Sequence, residues 1–479
     1  MRSTTPRRSV VRPLTRAAAA ACLTVGLTIG LTIGLTVGAP ARAQPAPPPP
    51  TPAARPDAAR PDAARPDTAG DGVRVPARDV ADSAARAVHA RLLTVDAHLD
   101  LRPDFTAAAA AGETDGQFDL PKLERGALDV PVVALFGESF RRTPENRARA
   151  RAQVDGKLAQ LRAFVAAHPD RLAFARSADD VEQVAATGRH AVLLSFLNTL
   201  ALRPDTAELV ALHAAGVRVL GFAHVGDNDF AHSSRPSAPF GDTVAVRPGL
   251  TALGRTAVGT LNRLGVVVDV SQLTRDGVLE AVRLSRAPVV ASHSALRSRV
   301  DNARNLTVEE ARLIAERGGV VHVVAFGPYL RASAEQERAY RAQVWAPFGL
   351  VPGRDDPSQT LDAEGQRRYG LAYRAYARSS WRYWSLDDYL DAVDAAVRLL
   401  GVDHVGLSSD FNHGGGVAGF SSVADAPNVT AGLLRRGYSE ADLAKLWGGN
   451  FLRVLRAAEA TAAALAAPAP GAVAARGGR

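Results

Sequence analysis

Between Leu92 and Ser409 the chain repeats one pattern eight times: a short run rich in β-branched residues, then a polar and helix-forming stretch. The runs are Leu92–His98, Val130–Phe136, Ala191–Phe196, Val217–His224, Gly265–Ser271, Ala287–His293, Gly319–Phe326 and His404–Ser409. Most are almost continuously apolar, as strands become when both faces are covered. Helical stretches lie between them: Arg147–His168, Thr206–Ala215, Thr251–Leu264, Thr274–Leu284, Thr307–Arg317 and Leu386–Leu400. Thr307-Val308-Glu309-Glu310 sets Glu three residues after Thr, a capping box. Strand-helix alternation on this scale implies a parallel sheet. Eight units imply a closed (β/α)8 TIM-type barrel, with a doubly wound open sheet as the alternative. No G-x-G-x-x-G follows the first run, which weighs against a dinucleotide-binding sheet.

The polar residues fall at the ends of these runs. His98 and Asp100 end the first, Asn198 follows the third, and His224 ends the fourth. Ser271-Gln272 closes the fifth, His293 the sixth, and Asp410 follows the eighth. In a barrel all of these ends meet at one mouth, where catalytic groups are drawn from several strands. A single strand-end histidine is ordinarily structural; three histidines and two aspartates at matching ends point to one site. His322 lies inside its run and is expected only to pack. His98-Leu99-Asp100 puts an imidazole and a carboxylate on one side of an extended chain. That pair suits zinc in a hydrolytic site.

The flanks carry no core. Residues 1–43 read as an export signal, with Arg7-Arg8, an apolar stretch from Ala17 to Gly38, and Ala41-Arg42-Ala43 as the cleavage site. The arginine pair suggests the twin-arginine route. An uncleaved anchor is the alternative, because the apolar stretch is long enough to span a bilayer. Residues 44–75 form a Pro/Ala/Arg linker with a repeated Ala-Arg-Pro-Asp, 76–460 the barrel, and 461–479 a disordered tail. Lys+Arg 57 against Asp+Glu 49 leaves a net charge of +8, carried nearly all by arginine, but much of that net charge sits in the leader and linker. No basic stripe interleaves with aromatics, so nucleic acid is not an expected partner. The single cysteine, Cys22, lies in the leader, which excludes a disulfide framework and a cysteine zinc site.

Val95-Asp96-Ala97-His98-Leu99-Asp100-Leu101 resembles the D-G-H-N-D-L segment of the membrane (renal) dipeptidase family. Asp119-Leu120-Pro121-Lys122-Leu123 resembles its D-L-P-R-L. Gly216-Val217-Arg218-Val219-Leu220 through His224 is similar to G-V-R-Y-L-T-L-T-H. Ala291-Ser292-His293-Ser294 and Arg304-Asn305-Leu306-Thr307 are similar to A-S-H-S and R-N-L-T. Gly406-Leu407-Ser408-Ser409-Asp410-Phe411 resembles G-I-G-S-D-F, and Gly448-Gly449-Asn450-Phe451-Leu452-Arg453 resembles G-G-N-F-L-R. The resemblance implies a (β/α)8 barrel of exported or anchored zinc dipeptidases, in which two metals share a glutamate. Carried over by position, His98 and Asp100 bind the first metal and His293 the second. His224 lies near the reacting carbonyl, Arg304 holds the substrate carboxylate, and Asp410 serves the leaving amine as proton carrier. A homodimer is also implied.

Two positions depart from that pattern. Leu197 stands where the bridging glutamate belongs, and Asp269-Val270-Ser271-Gln272 resembles the family's D-V-S-H segment with Gln272 in place of its histidine. Leu197, Asn198 and Gln272 are therefore the replaced-ligand positions. A neutral amide is a poor zinc ligand beside imidazole or carboxylate. One tightly held zinc is expected, with a second held weakly at most. The expected function is an exported metallo-dipeptidase-like hydrolase cleaving dipeptides or related small amides by metal-activated water. The alternative is a weak or inactive barrel that binds a small peptide or amino acid. The aromatic stretch Ala334–Trp384 departs most from the alternation. It covers the mouth, forms a subunit contact, or is a helical excursion packed on the barrel.

Overall fold

The computed structural model describes residues 82–467 except 244–247, 352–354 and 356. The export signal and linker lie outside the described residues. Nine parallel strands form one sheet: β1 (Val95–Asp100), β2 (Val130–Phe136), β3 (Leu172–Ala175), β4 (His190–Leu197), β5 (Val217–Gly221), β6 (Val267–Asp269), β7 (Val290–Ser294), β8 (Val320–Val324) and β9 (Val405–Ser408). Eight follow the order β1-β2-β4-β5-β6-β7-β8-β9, with β3 pairing β4 off that path. The ring closes between last strand and first. The Asp410 N–H donates to the His98 carbonyl and the Asp100 N–H to the Phe411 carbonyl, each at 3.0 Å.

This is the (β/α)8 barrel that the alternation implies, and the open sheet is set aside. All eight expected runs contain a strand. β3 escapes the pattern because Leu-Ala-Phe-Ala is short and only half covered. β5 and β6 stop before the ends of their apolar runs. β5 stops at Gly221, because the Phe222 carbonyl is taken by the Thr199 backbone N–H and hydroxyl and by the Asn228 amide. His224 thus sits in the loop beyond. β6 likewise ends at Asp269, whose carboxylate caps the Ser271 N–H.

The helices between strands open on Thr or Ser caps. Thr143, Ser177, Thr251, Thr274 and Ser385 each accept from a backbone N–H three residues on, and Thr307 forms the expected capping box with Glu310. Capping fixes where each helix starts and hence how long each strand-end loop can be. Apolar residues near the strand starts, such as Val130, Val219, Val267, Val290 and Val320, pack with Phe451 and Val454 of the Asn450–Ala466 helix. That core fills the end of the barrel away from the mouth. The helix runs past residue 460, so the tail boundary set there is too early. Its Leu452, Leu455 and Ala458 are buried and hold it in place.

Candidate active site

Among the described residues five non-glycine residues have positive φ, and four lie at the C-terminal strand ends: Asn198 (74°), Gln272 (71°), Asp410 (57°) and Asn412 (64°). Such conformations carry strain, which concentrates where function requires it. Two aspartates hold the rim in shape by one device. Asp96 on β1 accepts from the Ser409 N–H (2.9 Å) and hydroxyl (2.5 Å) and from the His98 N–H (3.3 Å). Asp269 on β6 accepts from the Ser292 N–H (2.9 Å) and hydroxyl (2.5 Å) and from the Ser271 N–H (2.9 Å). Each ties its own strand end to another strand. Burial pushes the Asp96 carboxyl up to about 6, against these hydrogen bonds.

The mouth holds an open cavity of about 310 Å³. Asp100, Leu197, His224, Gln272, His293, Arg304 and Asp410 all line it. His98 lies directly behind them, its Nε2 3.5 Å from Asp100 Oδ2 and 3.9 Å from Asp410 Oδ1. Asn198 does not line it. Its amide nitrogen donates to the Gly137 carbonyl (3.0 Å) and its oxygen accepts from the Leu200 N–H (3.3 Å), so the side chain shapes the loop. His322 is buried within β8 against Phe451, away from the cavity, as expected of a packing residue.

Three carboxylate and imidazole side chains answer to a metal's needs. His98 Nε2 and both oxygens of Asp100 are buried with no hydrogen-bond partner. With Asp410 they form a group whose ligand atoms all lie within 4.8 Å of one another. Unpaired buried acceptors are costly unless something else satisfies them. Imidazole nitrogen and carboxylate oxygen are what a divalent cation of the zinc type takes, so these residues fit such an ion. Burial acts to raise the Asp100 carboxyl, but His413 and His98 outweigh it and hold Asp100 well below the usual carboxylate range. Burial dominates at Asp410 and raises it.

In a second geometric group, His98, Asp269 and His293, the Asp269 and His293 members are already satisfied within the protein. The Arg235 guanidinium donates to Gln272 Oε1 (2.5 Å), and arginine can only donate. That turns the Gln272 amide nitrogen toward His293 Nε2, at 3.0 Å, so Nε2 must accept. His293 Nδ1 therefore carries the proton and donates to Ser292 Oγ (2.7 Å), whose hydroxyl donates to Asp269. The direction of the bonds is set from the Arg235 end, an obligate donor, and runs through to the carboxyl of Asp269. Burial, His98 and Arg304 hold the His293 imidazole far below its ordinary pKa, in keeping with a neutral ring.

The remaining walls recognise rather than ligate. The Arg304 guanidinium is buried, donating to Ser294 Oγ (3.1 Å) and the His293 carbonyl (2.6 Å) and lying 5.5 Å from the Tyr329 ring centroid. Its edge still lines the cavity. His224 Nδ1 is 3.2 Å from Ser139 Oγ, which leaves Nε2 as its other polar atom. Burial, Arg235 and His413 hold this imidazole well below its ordinary pKa.

Asp96, Arg235, Asp269, Tyr329 and His413 escaped the sequence reading. The two aspartates had a signal: each follows a valine on its strand and stands two residues before a rim residue. His413, whose Nδ1 is 3.4 Å from Asp100 Oδ2, comes three residues after Asp410. Arg235 had none, because the loop holding it has no periodic structure.

The family model described as membrane dipeptidase, peptidase family M19, matches residues 82–469. A dipeptidase of Claviceps purpurea is 27% identical over 370 residues, spanning 76% of this chain and 70% of that protein. The crystal structure of a probable dipeptidase from Pseudomonas aeruginosa superposes with a TM-score of 0.72 at 38% identity, covering 79% of this chain and 98% of that one. A metallo peptidase from Rhodobacter sphaeroides, liganded with a phosphinate mimic of the dipeptide L-Ala-D-Ala, has a TM-score of 0.59 at 23% identity over 77% and 99% of the two chains. At that identity it speaks to the fold alone.

Proposed function

The chain belongs to the membrane dipeptidase family, peptidase family M19, and from that premise we propose that it hydrolyses dipeptides or related small amides outside the cytoplasm with one zinc ion held by His98 and Asp100. The observation that supports this most directly is the trio of buried, unpartnered atoms, His98 Nε2 and Asp100 Oδ1 and Oδ2, with Asp410 beside them. When bound, a divalent ion there supplies Lewis acidity, acidifying water and polarising a carbonyl.

The chain's own residues do the rest. Arg304 presents a planar cationic edge to the substrate carboxylate. His224 offers Nε2 as a neutral hydrogen-bonding group to the reacting carbonyl. Asp410, at the cavity beside His98, carries a proton to the departing amine. Phe326 and Tyr329 narrow the entrance.

One observation favours a second reading. The Arg235–Gln272–His293 chain occupies the nitrogen that would ligate a second ion, and apolar Leu197 faces the same space. A site so arranged has less charge with which to activate a peptide bond, so the protein is a slow hydrolase or a peptide binder. Metal content per purified chain, measured alongside dipeptide turnover, tests both. One zinc with measurable turnover supports the first reading, and one zinc with ligand binding but no turnover supports the second. No bound metal, or two equivalents with rapid turnover, overturns the one-zinc site.

A further inference from the structure

A second cavity lies beside the mouth, and one ring divides the two. Phe326 lines both. The second is an open cleft of about 450 Å³. Tyr340, Tyr373 and Tyr376 of the inserted helical segment form one side, and Trp384 stands at its edge.

The cleft is built, not left over. Trp384 seats against Gly327, where a Cβ would come within 2.1 Å of the indole ring, and its ring N–H donates to the Arg331 carbonyl at 2.7 Å. Phe326 seats against Gly414, where a Cβ would lie 3.0 Å from the phenyl edge and where φ is +121°. Tyr340 meets Tyr373 edge-on, with centroids 6.3 Å apart and planes at 85°, and meets Tyr376 at 5.1 Å. Gln336 donates to the Tyr376 hydroxyl at 2.6 Å. The Tyr373 hydroxyl has no hydrogen-bond partner among the described residues. Aromatic walls at these spacings hold a further ring edge-on or offset better than they hold a methyl group. The free Tyr373 hydroxyl gives a ring substituent somewhere to bond.

We propose that this cleft is the subsite for an aromatic side chain of the substrate, so that the chain selects tyrosine-containing dipeptides or amides over small aliphatic ones. The identity of the ligand rests on the peptide-hydrolase reading; the preference for a ring rests on the cleft itself.

Two phosphinate dipeptide mimics, neither of them hydrolysable, provide the test. One carries methyl side chains; the other carries a hydroxybenzyl group, made at either side-chain position. Calorimetry on the purified full chain should find one hydroxybenzyl mimic bound at least about tenfold more tightly than the methyl mimic. Ala377→Phe, which fills the cleft from its helical wall, should erase that gap and leave the methyl mimic's affinity unchanged. Ser380→Phe, on the neighbouring turn, should do the same and stands in if the first variant fails to fold. Equal affinity for all mimics, absence of binding by any, or a preference that survives both substitutions overturns the subsite. Turnover of Ala-Ala without ring preference would retire the subsite and keep the hydrolase. Ring-dependent binding without turnover of any dipeptide would do the reverse.

Discussion

His98 and His293 stack face to face, their ring centroids 3.9 Å apart and their planes 15° from parallel, yet only His98 has a nitrogen left for a metal. The difference lies in what stands at the far edge of each ring. Asp100 and Asp410 face His98 Nε2, whereas the Gln272 amide fills His293 Nε2.

Metal content should follow from that asymmetry. The native chain should retain about one zinc after dialysis, and Leu197→Glu combined with Gln272→His should move it toward about two, with faster dipeptide hydrolysis. Either change alone should do less, since a new carboxylate needs both cations beside it. Elemental analysis of the three variants decides this; unchanged stoichiometry in the double variant would show that the second site was lost for another reason.

Asp100→Asn should empty the site while the fold survives. The substitution removes the charge but not the shape, so circular dichroism should be native and zinc content should fall to the background of a dialysed control. Full zinc retention would remove Asp100 from the ligand set.

Arg304→Lys should raise KM for a dipeptide by about 10- to 100-fold, the scale of one charged hydrogen bond, and leave KM for the corresponding dipeptide amide unchanged. An equal effect on both substrates would mean that Arg304 acts only through its bonds to Ser294 and the His293 carbonyl.

Ser292→Ala should destabilise the barrel by about 1–3 kcal/mol, because the buried Asp269 loses its hydroxyl donor and His293 Nδ1 its acceptor. Urea midpoints measure it. A loss below a few tenths of a kcal/mol would mean that water takes over both roles.

Acid should find a weak point in His322. Burial holds its pKa down to about 4, from 6.5. The folded state thus binds fewer protons than the unfolded chain between those values, so the stability this neutral ring contributes is full above 6.5 and is lost as pH falls toward 4. At pH 5 the loss is about 2 kcal/mol. His322→Leu should flatten the stability profile over that window, and an identical slope in both proteins would shift the blame to other groups.

We propose export by the leader; mass spectrometry of the extracytoplasmic fraction should then find a chain that begins at Gln44, and replacing Arg7-Arg8 with two lysines should stop its appearance there. A mature chain that still contains residues 17–38 would establish the anchored alternative.

Strands and helices were legible in this sequence because apolar runs and Thr or Ser caps are local signals. The barrel's closure was legible from the number of units. Residues such as His98, Asp100, His293 and Asp410 were placed because strand ends are ordered by topology. What escaped was set by tertiary contact alone. Asn198 reads as a candidate ligand until Gly137 and Leu200 are seen to claim its amide. Arg235 reads as a loop charge until Gln272 is seen to accept from it. Gln272 reads as a lost histidine, and only the bonds on both sides of its amide show that it does work of its own.

The seam between β9 and β1 has a consequence for biosynthesis. His98 and Asp100 emerge from the ribosome early, while Asp410 and Phe411, whose backbone closes the ring against them, are made near the end. No shorter nascent chain contains both edges of the seam. A cation held by His98, Asp100 and Asp410 would therefore be captured only after residue 411 has been made, and the compartment in which β9 docks on β1 would be the one whose metal supply sets the occupant.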